Sequence, residues 1–110
     1  MGHVTRGNVF EDLGFDRAEA ADLAMKVDLA SDLRKFIDRQ KLTQEKAAEF
    51  FAVPRPKISQ IQNNKLQGIS IEYLIRMLAK TGGKLTYSFR QPSQQMAKAR
   101  LREHNDTVAG

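Results

Sequence analysis

Two short helical patterns, joined by one tight turn, constrain the fold of this chain more than any other feature of its sequence. The first covers residues 43–51, with Thr43 placed to cap it, and the second begins near Arg55 or Pro56 and ends near Asn63. We expect Pro56 to be the first helical residue of the second helix, because proline suits that position and disfavours helix in the residue before it. The inward apolar residues are Ala47, Ala48 and Phe51 in the first helix and Ile58 and Ile61 in the second. This layout is typical of a helix-turn-helix.

Longer helical patterns flank this pair. Residues 16–40 contain neither glycine nor proline, and they predict one long helix capped by Asp16, or two helices with a bend. Ser70 is placed to cap a further helix, with Ile69 and Leu74 at the positions of a hydrophobic staple, and a glycine pair stops that helix.

The two ends of the chain are less regular. Residues 1–15 contain three glycines and no helical period, so we expect an irregular arm. The tail holds a short amphipathic helix at 94–103 or is frayed, and its last residues are expected to be disordered. The predicted organisation is an arm over residues 1–15, a helix-turn-helix domain over residues 16–92, and a tail over residues 93–110.

Residues 84–90 alternate between apolar and polar side chains, which predicts a β-strand with Leu85, Tyr87 and Phe89 on one face. A lone strand exposes unpaired backbone N–H and C=O groups. The arm near Val9 is one source of a partner strand, and the same strand of a second chain, across a two-fold axis, is the other. We therefore expect an all-α bundle of about five helices, with one C-terminal strand that pairs in a homodimer.

Positive charge is concentrated in the middle of the chain. The net formal charge is +5. Residues 43–90 hold eight basic and three acidic residues, whereas residues 1–42 hold seven and eight. No acid lies between Glu49 and Glu72. A phosphate backbone favours such a surface, although a basic domain also serves solubility.

The outward face of the second short helix is polar and basic. With Ile58 and Ile61 facing the core, a step of 100° per residue turns a set of other residues away from it. These are Pro56, Ser59, Gln60 and Asn63, flanked by Arg55, Lys57 and Gln62. Gln, Asn, Ser and Arg can hydrogen-bond to base edges in the major groove. An ordinary solvated face mixes acids with lysines, as residues 16–40 do, so the absence of acids here favours DNA reading.

Three stretches of the sequence together carry a family resemblance. They are LTQEKAA at 42–48, VPRPKIS at 53–59 and ISIEYL at 69–74, with Asn64 and Lys65 between the last two. The chain resembles the XRE, or lambda-repressor-like, family over about residues 8–90. It is most similar to the subgroup with HigA-type antitoxins, which begins with a stretch like residues 10–15 and ends its folded part with a strand like residues 84–90. The resemblance implies a lambda-repressor-like fold and DNA binding.

The resemblance also implies roles for individual residues. Gln44 matches a glutamine that contacts phosphate from the start of the first motif helix. Arg55, Pro56 and Gln60 match positions that meet base edges, and Pro56 can offer only van der Waals contact, as to a thymine methyl. The residues that fit phosphate contacts are Lys57, Asn63 and Lys65.

The chain departs from the family pattern at the turn. Ala52 stands where the family often has glycine, and in a left-handed conformation it costs about 1–2 kcal/mol. Pro54 stands where serine or threonine commonly caps the second helix. Both departures bear on where that helix starts.

The sequence offers little support for a metal site, a catalytic site or a membrane span. Cysteine is absent, and His3 and His104 lie near opposite ends of the chain. We therefore expect no metal site, no catalytic residues, no cofactor and no enzyme activity. No apolar run approaches the roughly 20 residues that span a bilayer, and no signal sequence opens the chain, so a cytoplasmic, nucleoid-associated protein is expected.

The favoured hypothesis is a repressor that binds a double-stranded operator, as the antitoxin of a type II toxin–antitoxin pair. Its toxin, of the HigB or RelE type, is expected to bind residues 10–15 or 16–40, which are near-neutral and rich in apolar groups. The alternatives are a stand-alone regulator without a toxin and an interaction module that masks a partner, with an enzyme as the most distant hypothesis.

Overall fold

The chain folds into a bundle of helices in a computed structural model that describes the backbone of residues 9–109 and the side chains of residues 9–105. Six helices lie in this part of the chain, and it contains no strand. They are α1 (Val9–Asp12), α2 (Arg17–Arg39), α3 (Gln44–Phe51), α4 (Arg55–Gln62), α5 (Ile71–Ala79) and α6 (Gln94–Ala109).

Three of the predicted helix caps are confirmed. The side chain of Asp16 accepts a hydrogen bond from the backbone N–H of Glu19. The side chain of Glu19 accepts one from the backbone N–H of Asp16, which completes a capping box. Thr43 accepts from the N–H of Lys46, and Ser70 accepts from the N–H of Tyr73. Each side chain satisfies a donor that the first turn of a helix leaves unpaired. The bend considered for residues 16–40 is not needed, because α2 is one helix of 23 residues.

The core lies between the C-terminal half of α2 and helices α3, α4 and α5. Its largest fully buried side chains are Phe51, Leu33, Ile37, Ile58, Ile61, Ile69 and Leu74. Within the described residues no polar or charged side chain is buried among them. The core therefore holds α3 and α4 by apolar contact, which leaves their polar faces at the surface.

The turn between α3 and α4 has the strained, left-handed conformation at residue 52 that the glycine of the family pattern led us to consider. Ala52 is left-handed, with φ of +56°, and the N–H of Val53 donates to the carbonyl of Ala48. Helix α4 starts at Arg55, one residue earlier than expected, with Pro54 as its N-cap. The N–H of Lys57 donates to the carbonyl of Pro54 at 2.9 Å. The first helical turn therefore closes on Pro54 and already includes Arg55.

The prediction of a strand over residues 84–90 is wrong for the single chain. A strand requires a neighbour to bond to, and the described residues of this chain supply none. Val9, considered as part of a partner strand, instead begins α1. Leu85, Tyr87 and Phe89 are 46%, 83% and 65% exposed. The alternation of side chains therefore marks an extended apolar segment without giving it a partner.

The two ends of the chain are more helical than expected. The arm contains α1, while residues 1–8 of the arm lie outside the described part. Helix α6 continues to Ala109, where a frayed or disordered end was expected. An ion pair between Arg17 and Glu103, at 2.9 Å, joins α6 to the start of α2. The described chain is elongated, with extents of 54 × 26 × 20 Å.

Candidate nucleic-acid interface

The orientation of α4 follows from its two buried isoleucines. Ile58 and Ile61 are fully buried, which fixes the rotation of the helix about its axis. On the opposite side Pro56 and Asn63 are exposed, and Ser59 is half-buried. Arg55 and Lys65 at the two ends of the helix are exposed, and Gln60 is half-buried beside them. The structure thus gathers the predicted residues of α4 and Lys65 on one side of the domain.

Gln60 is half-buried because it lines a groove beside α4. The groove has a volume of about 470 Å³, and its apolar wall comes from α1, α2 and the loop after α4. The apolar residues of that wall are Phe10, Leu23, Val27 and Leu66. Asn64, Lys65 and Gln67 join Gln60 on its polar side. These neighbours restrict the side chain of Gln60 on the side that faces the groove.

Gln44 links the two helices of the motif. Its side-chain nitrogen donates to the Oε1 atom of Gln62 at 2.9 Å, and its oxygen accepts from the Nε of Arg55 at 3.3 Å. An amide nitrogen carries two hydrogens, so one donor of Gln44 remains for another acceptor. The same side chain therefore aligns α3 with α4 and keeps one amide N–H for a further acceptor.

Two other predicted residues are held by contacts within the protein. The ammonium of Lys57 lies 5.7 Å from the centre of the Tyr73 ring, which steers it towards α5. The amide nitrogen of Asn63 donates to the carbonyl and the hydroxyl of Ser59, at 2.9 and 3.3 Å. The amide nitrogen of Asn63 is thereby tied to Ser59, and the oxygen of Asn63 is left as an acceptor. A phosphate, itself an acceptor, does not match that oxygen.

The electrostatic character of the face is positive. Among the described residues, no carboxylate forms an ion pair with Arg55, Lys57 or Lys65. The nearest acid after α4 in sequence, Glu72, pairs with Arg76 on its own helix at 3.0 Å. The basic groups of this face are thus available to an anion.

Arg34 contacts the C-terminal end of α4, and the sequence patterns did not single it out. Its Nη1 atom donates to the carbonyl of Ile61 at 3.0 Å and to the side-chain oxygen of Asn64 at 3.2 Å. Arg34 lies on α2, 27 residues before its partner in α4. No periodicity within one helix reports a contact of such separation.

The apolar segment at 84–90 lies apart from this face. Leu85 is the least exposed of its three apolar side chains, since it lines a shallow groove with Leu78 and Thr81. Tyr87 and Phe89 are largely exposed on the single chain. These residues are thus exposed apolar surface on a different part of the domain from α4.

Other kinds of site are not found where the structure describes the chain. The described residues contain no group of three or more His, Cys, Asp or Glu side chains that could hold a metal ion. His104 is exposed, and His3 lies outside the described residues. None of the described helices combines the length and the apolar character needed to cross a lipid bilayer.

Comparisons with known proteins agree with this geometry. A family model described as a helix-turn-helix domain matches residues 9–90. A solved structure described as an XRE family transcriptional regulator is similar at a TM-score of 0.63 and 32% identity, over 69% of this chain and 85% of that chain. No curated protein matches the sequence.

Proposed function

From the premise that the chain belongs to the XRE-type helix-turn-helix family, we propose that it is a DNA-binding transcriptional regulator that reads an operator with α4. The observation that carries the proposal is the exposed, acid-free side of α4, held in register with α3 by the amide of Gln44. A helix of this kind fits the major groove, where its polar side chains meet base edges.

The residues divide into two roles. Arg55, Pro56, Ser59 and Gln60 face base edges, while the remaining N–H of Gln44 meets a phosphate. The other proposed phosphate contacts are Lys57 and Lys65. Asn63 fits a phosphate less well than expected, because its free atom is an acceptor. We therefore assign Asn63 to a base amino group, on adenine or cytosine.

The proposal is tested by selecting from a pool of random duplexes with the whole protein. We expect a defined sequence to be enriched by the parent protein. A protein with Arg55→Ala and Gln60→Ala should enrich none, and Glu72→Gln, which alters a neighbouring surface, should enrich the same sequence as the parent. A parent protein that selects no sequence would overturn the proposed function.

We propose further that the protein works as a homodimer, joined by residues 84–90 of two copies in an antiparallel pair. The support is the exposure of Leu85, Tyr87 and Phe89, together with the unpaired backbone of an extended segment. A two-fold pair would place two α4 helices about 34 Å apart, which suits a pseudo-palindromic site.

We propose that the regulator acts in the cytoplasm, on the nucleoid, as the antitoxin of a HigB- or RelE-type toxin. The support is apolar surface outside α4, around α1: Val9, Leu13 and Phe15 are 57%, 69% and 42% exposed. The same surface also favours the alternative of a module that masks a partner, and a stand-alone regulator is the third candidate. The neighbouring reading frame, co-expressed and tested by pull-down with residues 1–15 deleted or with α2 surface variants, decides between them.

A further inference from the structure

The C-terminal end of α4 makes a sharp change of direction. The helix ends at Gln62, and Asn64 adopts a left-handed conformation with φ of +57°. The N–H of Lys65 then donates to the carbonyl of Gln60 at 2.8 Å, which folds the chain back along the helix. The conformation at residue 64 therefore sets the position of Lys65 relative to Gln60.

One side chain from outside the helix-turn-helix holds this end. Arg34 donates to the last-turn carbonyl of Ile61 and to the side chain of Asn64 from a single nitrogen, Nη1. The carbonyls at a helix C-terminus carry partial negative charge, so a guanidinium there is favourable. Arg34 follows the fully buried Leu33 on α2, so its backbone belongs to the rigid part of the core.

The last turn of α4 is thus held from two sides. Gln44 of the motif itself bonds to Arg55 and Gln62. In the described part of the chain, Arg34 is the residue outside α3 and α4 whose side chain hydrogen-bonds to the last turn of α4 and the turn after it. Its loss would let the turn at Asn64 and Lys65 shift, while the buried isoleucines and the bonds of Gln44 keep the helix itself in place.

We propose that Arg34 is a positioning residue for sequence reading, which sets the aim of Gln60 and Lys65 without touching a base. The inference rests on the proposed function of α4. Hydrogen bonds to base edges weaken steeply when donor and acceptor are misaligned. The attraction between lysines and phosphates acts over several ångströms, so a small shift of the side chain changes it little. The loss of Arg34 should therefore lower specific binding and leave non-specific binding nearly unchanged.

The test compares Arg34→Gln with Arg39→Gln, which removes the same charge from an exposed position on the same helix. Binding to the selected duplex and to a scrambled duplex is measured at several salt concentrations. We expect Arg34→Gln to lower the ratio of specific to non-specific affinity about tenfold, the scale of one weakened base contact, with an unchanged salt slope. Arg39→Gln should keep the ratio of the parent.

A second variant covers the case in which Arg34→Gln fails to fold. Asn64→Gly removes one acceptor of Arg34, and glycine accepts a φ of +57° without strain. This variant should be at least as stable as the parent and still lose specificity, by a smaller factor.

Two outcomes would overturn the inference while the parent still binds specifically. One is an unchanged affinity ratio in both variants. The other is a salt slope reduced by about one unit in Arg34→Gln, which marks a direct phosphate contact. A parent without sequence preference would instead overturn the proposed function.

Discussion

Ala52 occupies a backbone conformation that favours glycine, and the geometry of the turn depends on it. Its φ of +56° closes the connection between α3 and α4, and its side chain is exposed. Phe51 and Ile58, one on each side of the turn, are both buried in the core, which fixes the two helices that the turn must join. The strain at Ala52 is therefore maintained by the packing of the core.

Ala52→Gly should stabilise the protein by about 1 kcal/mol, because glycine removes the left-handed penalty although it adds freedom to the unfolded chain. Unfolding in urea measures the change. The matched variant is Ala48→Gly, in the middle of α3, which should destabilise the protein by about 0.5–1 kcal/mol or more. Equal losses in both variants would contradict the assignment of strain to residue 52.

At the scale of the helices, the features that could be predicted from the sequence are those set by residues close together in the chain. The caps at Asp16, Thr43 and Ser70 depend on a side chain and an N–H three residues later, so they could be read from short stretches. The inward positions of Ile58 and Ile61 follow from helical periodicity alone.

The elements that the sequence missed depend on distant contacts. Helix α1 has only four residues, too few to show a helical period, and its Phe10 lies in a groove with Val27 and Leu66, far along the chain. The contact of Arg34 with α4 joins residues far apart in the chain. Neither kind of contact leaves a period in the sequence.

Helix α6 should be attached to α2 more firmly at neutral pH than in acid. The hydrogen bond from Arg17 lowers the pKa of Glu103, with desolvation opposing it and Arg100 assisting. A carboxyl group whose pKa is lowered in the folded state contributes stability above its unfolded pKa, and that contribution is lost as the pH falls through the folded value. The contact is exposed, so its loss should release α6 without unfolding the core.

The release of α6 can be followed with a spin label. The chain has no cysteine, so Lys98→Cys offers one unique attachment point on α6. Relaxation of the Arg17 amide by the label should weaken as the pH falls through the range in which Glu103 protonates. In Glu103→Gln the relaxation of the Arg17 amide should be weak at every pH. In the control Glu72→Gln it should depend on pH as in the parent. A release with the same pH dependence in Glu103→Gln would rule out this ion pair as the cause.

At the scale of the whole molecule, the proposed dimer governs how well an operator is read. Period-two alternation predicted a strand, but a strand is a property of two neighbours, and the described residues 9–109 offer no second one. Three exposed apolar side chains on one short segment are consistent with a surface that a second copy covers.

Tyr87→Pro should yield a monomer with intact helices and much weaker operator binding, because proline removes a backbone donor in the middle of the proposed ladder. Sedimentation and circular dichroism measure the two properties. Gln91→Pro, just beyond the segment, is the matched control and should remain dimeric. A Tyr87→Pro protein that stays dimeric and binds normally would mean that α2 or α6 forms the interface instead.

Base reading by α4, with its flanking cations on the DNA backbone, is tested most directly by a footprinting titration of Gln60→Ala and Lys65→Ala at several salt concentrations. Gln60→Ala should lower affinity for the selected operator by about 1–3 kcal/mol and barely change non-specific binding. Lys65→Ala should weaken both and reduce the salt slope by about one unit. A Gln60→Ala protein that binds the operator as the parent does would contradict the account.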